Sequence, residues 1–198
     1  MLQFCPVCRN ANIDKRIVDA CETTATAVCP DCGEHFEFSY LPLHILEGAP
    51  ATGKSTTAGR IQDRIDLAIY EGDAHMSVTA GNLSWDEICD LDLRFCLTLH
   101  AAGQQALFVG GVYPHSLEES PETRYFSRIE RCALVCDDDD LLDRSRARAG
   151  DVPDEMDYLH DVNRWYREHG PEQGIEVLNT SALNPDAVAQ RVADWIDG

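Results

Sequence analysis

A complete phosphate-binding loop constrains this chain more than any other feature of its sequence. Residues 48–55 read Gly-Ala-Pro-Ala-Thr-Gly-Lys-Ser and match the pattern G-x-x-x-x-G-K-[ST]. An apolar run at 41–47 precedes the loop and predicts a strand, and apolar residues at helical spacing follow it from Thr56 to Ile69. Because the glycines let backbone N–H groups turn inward toward an anion, and a helix N-terminus adds positive potential, the motif predicts a nucleoside triphosphate site.

Within that site the residues have separate expected roles. Lys54 would contact the β- and γ-phosphates of ATP, and the Ser55 hydroxyl would bind a Mg²⁺ ion. The residues expected to contact the nucleotide are Gly48, Ala49, Pro50, Ala51, Thr52, Gly53, Lys54, Ser55 and Thr56. The alternative is a plain structural turn, which is disfavoured because few chance matches to the motif fall between a strand and a helix.

The chain is strongly acidic. It has 35 acidic against 16 basic residues and a formal net charge of −19, and its only two lysines are Lys15 and Lys54. Such self-repulsion destabilises a compact state in ordinary buffer, whereas in about 1 M salt the Debye length falls to about 3 Å. An acidic tail or a disordered chain is the alternative, but the acids are spread over the whole length and 44% of the residues are hydrophobic. We therefore expect a protein of a halophilic cytoplasm.

The apolar segments are all short. None approaches the roughly 20 residues that a membrane-spanning helix needs, and the N-terminal Met-Leu-Gln-Phe-Cys is not typical of a signal peptide. We therefore expect a cytoplasmic protein with no membrane partner. In that compartment the nine cysteines are expected to be metal ligands and buried small hydrophobes rather than disulfides.

Two C-x-x-C motifs lie near the N-terminus, and their cysteines are Cys5, Cys8, Cys29 and Cys32. This spacing is typical of a structural zinc site, in which each motif aims two sulfurs at one tetrahedral Zn²⁺ ion. The segment resembles a zinc ribbon over residues 1–40, with strands predicted at 16–20, 25–29 and 35–40. Because about 40 residues cannot build an adequate core alone, the metal should supply much of the folding energy.

Other uses of these residues are disfavoured. A single C-x-x-C motif can be redox-active or simply buried, but two motifs at this spacing favour zinc. Cys21 lies between the motifs and is expected to be a spare thiol, since four thiolates already close a structural site. His35 is the weaker candidate ligand.

The remainder of the chain, 41–198, alternates between strand and helix patterns. The predicted strands are 41–47, 66–71, 106–111, 129–136 and 175–178, and the predicted helices are 56–69, 85–102, 137–149 and 185–195. This alternation predicts an α/β fold with a five-stranded parallel sheet and helices on both faces.

Two finer features of this part are also predicted. The helix at 85–102 is expected to bury the face made by Ile88, Leu91, Phe95 and Leu99. The least structured segments are expected to be 112–124 and 150–157, which are rich in Pro, Glu and Asp.

Three segments together resemble the nucleoside and nucleotide kinase-like group of P-loop proteins, to which gluconate and shikimate kinases are related. They are Gly48–Ser55, Glu71-Gly72-Asp73 and Arg144-Ser145-Arg146-Ala147-Arg148. The resemblance covers roughly residues 41–198 and implies ATP-dependent transfer of a phosphoryl group. It also implies that Asp73 meets the phosphate acceptor and that Arg144 and Arg148, with Arg146 as a further candidate, belong to a lid over the transferred phosphate. The loop 179–181 would then pack against adenine.

Each implied role has a physical rationale and a simpler alternative. Asp73 follows a strand beside the phosphate loop, where a carboxylate can orient the acceptor hydroxyl or take its proton, but an Asp after Gly is also a common turn residue. Arginine stays charged and grips phosphate oxygens in pairs, but these arginines could instead pair with acids on an exposed helix face. His75 could assist Asp73, although a lone histidine near a loop is more often a bystander.

The third predicted strand departs from the pattern of many P-loop enzymes. It ends in Gly110-Gly111-Val112, without the Asp that commonly holds Mg²⁺. Asp73 would then cover both duties, Glu71 or Asp66 would contribute, or catalysis would be weak. Candidates to line the acceptor pocket are Trp85, Arg94 and Tyr113, and the acceptor itself stays open.

Three functions are compatible with these patterns. The leading one is a kinase that phosphorylates a small molecule or nucleotide near Asp73. A nucleic-acid-directed enzyme is disfavoured because the first 40 residues have three cationic residues against six acidic ones, whereas a polyanion needs a basic surface. A nucleotide-dependent switch is favoured slightly by the missing third-strand Asp and opposed by the arginine-rich segment. The loop 179–181 lacks an N-K-x-D guanine signature, which favours ATP over GTP.

Overall fold

The computed structural model describes residues 2, 4–11, 14–79, 81–111, 114–149 and 156–198. Its strands are β1 Arg16–Ala20, β2 Thr24–Val28, β3 His35–Ser39, β4 Leu43–Glu47, β5 Ala68–Glu71, β6 Ala106–Val109, β7 Ile129–Val135 and β8 Glu176–Asn179. Its α-helices are α1 Lys54–Ile61, α2 Met76–Thr79, α3 Trp85–Ala101, α4 Pro114–Glu119, α5 Asp138–Ala149, α6 Met156–His169 and α7 Pro185–Asp197. Short 3₁₀ helices lie at Gly72–His75, Pro121–Tyr125 and Pro171–Gln173. None of the described helices is both long and apolar enough to cross a membrane.

The larger sheet has five strands in the order β5-β6-β4-β7-β8, and all its pairings are parallel. Strand β4 is central, and each of its five residues is buried. The chain leaves β4 toward β5 on one side and later returns through β6 to β7 on the other. This reversal creates a crevice at the carboxyl ends of β4 and β6, where sheets of this kind bind ligands. The predicted fold class, a five-stranded parallel sheet with a small β unit before it, is confirmed.

Helices cover both faces of this sheet. On one face Leu46 and Leu134 belong to the same apolar cluster as Ala58 of α1 and Val192 of α7. On the other face Ile45 packs in a cluster with Leu93 of α3, while Ala133 and Val135 pack against Tyr166 of α6. Because side chains alternate along β4 and β7, each strand contributes apolar side chains to both faces of the sheet. The sheet is therefore the middle layer of a three-layer structure.

Two helix predictions were wrong in detail. The first helix ends at Ile61 rather than at Ile69, and the apolar Ile65 reaches the same cluster from the turn that follows. In α3 the buried face includes Asp92, Leu93, Cys96 and Leu97, whereas Phe95 is 43% exposed. The predicted buried face was shifted because it was drawn through apolar residues only. The true buried face of α3 includes a carboxylate, Asp92, which an apolar pattern does not select.

The segments expected to be least structured contain ordered elements. Helix α4 and the 3₁₀ helix Pro121–Tyr125 lie within or at the end of 112–124, and the Tyr125 side chain is fully buried. Helix α6 was not predicted, although it is amphipathic; its buried face is formed by Leu159, Tyr166 and the polar Asn163, so it lacks a continuous apolar stripe. Residues 150–155 lie outside the described part of the chain.

The smaller sheet is antiparallel, with the order β1-β2-β3. Its Ala25, Ala27 and Phe38 share one apolar cluster with Leu93 and other α3 residues. Tyr125 links the two parts further, because its hydroxyl accepts a hydrogen bond from the Lys15 backbone N–H (2.7 Å) and donates one to the Lys15 carbonyl (2.9 Å). The small sheet thus packs firmly on α3, and the domain boundary between residues 40 and 41 stays a prediction.

Candidate functional site

The phosphate loop turns tightly above the end of β4. Gly48 and Gly53 have φ angles of 132° and 109°, which favour glycine. At Gly48 a Cβ atom would lie 2.2 Å from the Leu134 carbonyl oxygen, so the loop can rest on β7 only without a side chain there. The Thr52 hydroxyl donates to the Ala49 carbonyl oxygen (2.8 Å) and braces the turn from within. These contacts hold the loop in a tight turn at the end of β4.

Lys54 begins α1, and its ammonium group folds back over the loop. Its Nζ donates to the carbonyl oxygens of Gly48 (2.8 Å) and Ala49 (3.1 Å). Desolvation lowers the pKa of Lys54 to about 8, the charge of Arg148 acts in the same direction, and the charge of Asp73 opposes them. A phosphate group beside this ammonium would favour its protonated form.

The loop borders a cleft of about 1690 Å³ at the carboxyl ends of the strands. Ser55 and Thr56, at the start of α1, line it and are exposed. Asp73 lies in the 3₁₀ helix after β5 and also lines the cleft, with its side chain exposed. Glu71 and Asp66, the other acids considered for Mg²⁺, are not among the described residues that line the cleft.

A buried carboxylate that sequence reasoning missed lies behind Asp73. Asp92 of α3 is only 4% exposed and lines the cleft. Its Oδ1 accepts a hydrogen bond from the Tyr70 hydroxyl (2.7 Å) and lies 2.6 Å from His75 Nε2. The other ring nitrogen of His75 lies 3.1 Å from the Thr79 hydroxyl. Both nitrogens are thus occupied, which makes His75 a support for Asp92 rather than a free base beside Asp73.

Burial raises the pKa of Asp92, and its hydrogen bonds to His75 and Tyr70 oppose that shift. The position of Asp92 in the sequence could have identified it as buried. It lies four residues after Ile88, so both side chains fall on the same face of α3. A polar residue at such a position is expected to have buried partners, but the sequence does not identify them.

The candidate lid arginines have different environments. Arg144 donates to the Thr180 hydroxyl (2.8 Å) and to the Thr52 carbonyl (3.4 Å), so its guanidinium joins α5 to the phosphate loop and to the loop after β8. Arg148 is exposed and lines the cleft. Arg146 faces Asp143 at 3.9 Å and does not line the cleft, as the exposed-helix alternative predicted for these arginines.

The loop 179–181 is anchored to the end of β7. Thr180 donates its backbone N–H to the Val135 carbonyl (2.8 Å), and the Ser181 hydroxyl accepts from the Asp137 backbone N–H (2.8 Å). Thr180 lines the cleft beside Arg144. This end of the cleft lies next to the phosphate loop and α7, whose Pro185 and Val188 also line it.

Of the residues predicted to line the acceptor pocket, the structure brings one to the cleft. Trp85, at the start of α3, lines the cleft and is 50% exposed. Arg94 was placed wrongly, because it forms a 3.0 Å ion pair with the buried Glu122 and does not line the cleft. Tyr113 lies outside the described residues. Gly110 and Gly111 after β6 line the cleft, so the described end of this strand presents backbone where other P-loop enzymes have an Asp.

A buried ion pair supports the phosphate loop from below. Glu47, the last residue of β4, is fully buried and receives two hydrogen bonds from Arg131 of β7, at 2.8 and 2.9 Å. The Tyr166 hydroxyl donates to the same carboxylate at 3.0 Å. Burial raises the pKa of Glu47, while Arg131 and Tyr166 lower it. These contacts fix the end of β4 from which the loop departs.

The four N-terminal cysteines converge as the motif predicts. Their sulfur atoms all lie within 4.8 Å of one another, and the Cys5–Cys32 and Cys8–Cys29 separations are 3.6 Å. Zinc–sulfur bonds of about 2.3 Å in a tetrahedron place sulfurs about 3.8 Å apart, so this group of thiols fits Zn²⁺. Cys21 and His35 are not part of the cluster.

The two cysteine turns have the same backbone geometry. Arg9 N–H donates to the Cys5 carbonyl and Gly33 N–H to the Cys29 carbonyl, at 3.1 and 3.0 Å. Arg9 and Gly33 therefore occupy matching positions, and both have positive φ angles, 61° and 74°. Such repetition is the local structure by which two C-x-x-C motifs present four sulfurs to one ion.

Comparison with solved structures places the larger sheet and its helices among known kinases. A sugar kinase from Janibacter sp. matches with a TM-score of 0.60 and 16% identity over 80% of this chain and 95% of its own. A shikimate kinase from Acinetobacter baumannii matches with 0.55 and 16% over 79% and 93%. A gluconokinase from Sinorhizobium meliloti matches with 0.53 and 14% over 79% and 96%.

The fold is that of the P-loop kinases. At this level of identity the likeness shows the fold alone, and the resemblance to gluconate and shikimate kinases is confirmed to that extent. A scan against protein-family models finds no match, and a search of curated proteins finds none either. The roles of individual residues in this P-loop kinase fold therefore rest on the geometry of the cleft.

Proposed function

We propose that this chain is an ATP-dependent kinase that transfers the γ-phosphate of ATP to a hydroxyl group of a small acceptor held near Asp73. The observation that carries the proposal is the arrangement of charge in one cleft. Lys54 of the phosphate loop and Arg148 of α5 line this cleft. The Asp73 carboxylate, which follows β5, lines it as well. Phosphoryl transfer needs positioned reactants and neutralised charge more than covalent participation by the protein.

In this proposal the tasks are divided among the side chains of the cleft. The loop N–H groups and Lys54 hold the β- and γ-phosphates, and Arg148 neutralises the oxygens of the transferred group. Asp73 orients the acceptor hydroxyl and accepts its proton. The acceptor oxygen bonds to the γ-phosphorus, the bond from that phosphorus to the β,γ-bridging oxygen breaks, and ADP leaves. Arg144, between Thr52 and Thr180, orders the part of the cleft proposed for adenine.

The oxygen donors of the cleft also fit a magnesium ion. Ser55 and Asp73 are the two that would hold it, since Mg²⁺ prefers hydroxyl, carboxylate and phosphate oxygens. When bound, Mg²⁺ supplies neutralisation of phosphate charge.

The first experiment measures ADP release from Mg·ATP in about 1 M KCl, with and without pooled nucleosides, nucleotides, sugars and sugar acids. We expect acceptor-dependent turnover, and we expect Lys54→Ala and Asp73→Asn each to lower kcat/KM by at least about 100-fold. Arg148→Ala should also lower it, whereas Arg146→Ala is the matched control because Arg146 lies on the same helix outside the cleft. Tight ATP binding without acceptor-stimulated turnover would replace the kinase proposal with that of a nucleotide-dependent switch.

We further propose that residues 1–40 form a zinc unit that is attached to a kinase unit of residues 41–198. The fit of the four sulfurs to a tetrahedral ion supports the metal, and the shared cluster around Phe38 and Leu93 supports a stabilising role for the unit. Metal analysis of the purified protein should find about one zinc ion per chain.

The acidic composition supports a halophilic cytoplasm as the working environment. If repulsion among the 35 acidic residues opposes folding, raising KCl from about 0.1 M to 2 M should raise the Tm by shortening the Debye length. An unchanged or lower Tm would contradict this part of the proposal.

A further inference from the structure

The cleft has two sides with different chemistry. The side next to the phosphate loop contains the lining residues Lys54, Arg144 and Arg148. The opposite side is called here the acceptor wall, and it is formed by Asp73, Met76, Trp85, Ile88, Asp92 and Phe108. An acceptor that reacts beside Asp73 must lie against this wall.

The acceptor wall presents carboxylates and apolar surface. Its two acidic residues are Asp73 and Asp92. The Tyr70 hydroxyl and His75 Nε2 both contact the Oδ1 atom of Asp92. The Oδ2 atom lies beside Gly72, another residue that lines the cleft, since a Cβ on residue 72 would come within 3.4 Å of it. The wall therefore offers carboxylate oxygens to hydroxyl or amine hydrogens and an aromatic ring, Trp85, to an apolar surface.

Cations near the wall are already engaged with acids. Arg94 of α3 pairs with Glu122 at 3.0 Å, and Arg164 of α6 pairs with Asp161 at 3.5 Å. Neither arginine lines the cleft, whereas Asp161 does. His115 lines the cleft and lies 3.9 Å from the Asp86 carboxylate.

The residues outside the described part of the chain do not supply a cation either. By sequence they are Met1, Gln3, Asn12, Ile13, Ala80, Val112, Tyr113 and the segment Gly-Asp-Val-Pro-Asp-Glu at 150–155. None of them is Lys, Arg or His, and the segment at 150–155, between the two helices beside the cleft, adds three acids.

We infer that the acceptor is a hydroxyl compound without a carboxylate or phosphate group, a neutral or amine-bearing molecule of the sugar or nucleoside type. An anion that leaves water needs compensating cations or hydrogen-bond donors, and Arg or Lys is the usual partner of carboxylate and phosphate groups. The acceptor wall has none among the residues that line it and would repel an anion through the exposed carboxylate of Asp73. This inference rests on the proposed kinase function and narrows the substrate class of the same site.

The test uses acceptors in matched pairs that differ only in an anionic group. Suitable probes are methyl shikimate against shikimate, gluconamide against gluconate, and glucuronamide against glucuronate. The full-length protein is assayed with Mg·ATP at the lowest KCl concentration at which it stays folded, and the phosphorylated product is identified by mass spectrometry. We expect kcat/KM for the uncharged member of the best pair to exceed that for its anionic partner at least tenfold.

A charge placed on the wall sharpens the test. Trp85→Arg adds a cation at a half-exposed cleft position and should raise the ratio of anionic to uncharged kcat/KM about tenfold, which corresponds to one new charge pair. Gln190→Arg is the matched control, because it adds the same charge at an exposed position of α7 outside the cleft and should leave the ratio unchanged.

The outcomes separate this inference from the proposed function. Preferred phosphorylation of the anionic members would overturn the inference and keep the kinase. An equal shift of the ratio in Trp85→Arg and Gln190→Arg would also overturn it, since the wall would then have no special role. ATP binding with no turnover on any member would overturn the kinase function and the inference with it.

Discussion

The cysteine cluster and the phosphate loop are both tight turns that present atoms to a ligand, but they are stabilised differently. Two of the four cysteines, Cys8 and Cys32, are exposed. The phosphate loop, by contrast, leaves a fully buried strand, rests against the Leu134 carbonyl and is supported by the ion pair of Glu47 and Arg131. We therefore expect the two cysteine turns to depend on their ligand for order, and we expect the phosphate loop to keep its backbone without one. Removing the ligand should therefore have opposite structural consequences in the two regions.

The largest expected effect is the loss of the metal. Replacing both Cys29 and Cys32 with Ser should reduce zinc content from about one ion per chain to nearly none and should remove hydrogen-exchange protection from β1–β3. ATP binding should persist, because the phosphate loop is supported by β4, α1 and β7 and not by the small sheet. Cys21→Ser is the matched control, since Cys21 is exposed and outside the cluster. Unchanged zinc content in the double variant would refute the metal assignment.

The support beneath the phosphate loop is the next target. Arg131→Leu leaves Glu47 buried without its cation and should lower the free energy of unfolding by about 3–5 kcal/mol. Arg128→Leu removes a largely exposed partner of Glu130 and should cost less than about 1 kcal/mol. Urea unfolding at constant KCl measures both variants. Equal losses in the two variants would show that burial of the Glu47 pair has no special importance.

The third prediction concerns pH and helix α3, which packs on the small sheet and also lines the cleft. Burial lowers the pKa of His100 in α3 to about 4, so the neutral imidazole, which accepts a hydrogen bond from Ala106 N–H, is favoured in the folded protein. The unfolded chain takes up this proton at its ordinary pKa of about 6.5, so stability falls as the pH drops from about 6.5 to 4. The contribution is at most about 3 kcal/mol.

His100→Gln keeps a hydrogen-bond acceptor and removes the titration, so the difference in unfolding free energy between it and the native protein should change across this pH range. The cysteine cluster is the same in both proteins, and acid release of zinc therefore cancels from the difference. His35→Gln, at an exposed position of β3, is the control. A pH-independent difference would contradict the role assigned to His100.

The smallest effects should come from the two matching positions of the cysteine turns. Gly33→Ala places a Cβ on a residue with a φ of 74°, where no atom lies within 4 Å, so the cost is backbone strain of about 1 kcal/mol. Arg9→Gly relieves the same strain at a φ of 61° but adds freedom to the unfolded chain, so it should change stability by less than about 1 kcal/mol. Competition with a zinc chelator measures both. A larger effect of Arg9→Gly than of Gly33→Ala would show that the two turns are not equivalent.

Sequence patterns predicted the parts of this fold that depend on neighbours in the chain. The five strands, the small antiparallel sheet and the convergence of four cysteines all arise from local runs or short motifs, and their predicted positions agree with the structure to within a few residues. Helix α6 was missed because the polar Asn163 interrupts the apolar residues of its buried face, and Arg94 was misplaced because its partner, Glu122, is 28 residues away.

The candidate site shows the same division. Lys54 and Ser55 could be identified from spacing alone, because a phosphate loop is a continuous segment. Asp92 could not, since its partners Tyr70 and His75 belong to other elements and come together only when α3 packs on the sheet. The assignments of Asp73, Arg144 and Arg148 to catalysis remain predictions, although the structure brings all three to the cleft.

The sequence by itself determined which segments form strands, where a phosphate can bind and which thiols can share a metal, because these properties follow from residue type and short-range spacing. The tertiary structure alone decided what faces the phosphate loop across the cleft. Asp92, Trp85 and Phe108 reach that wall from α3 and β6, and the nearby arginines are paired with acids elsewhere. The charge of a pocket is the sum of the charges of side chains from distant parts of the chain. It is therefore determined only by the tertiary packing that brings those side chains together.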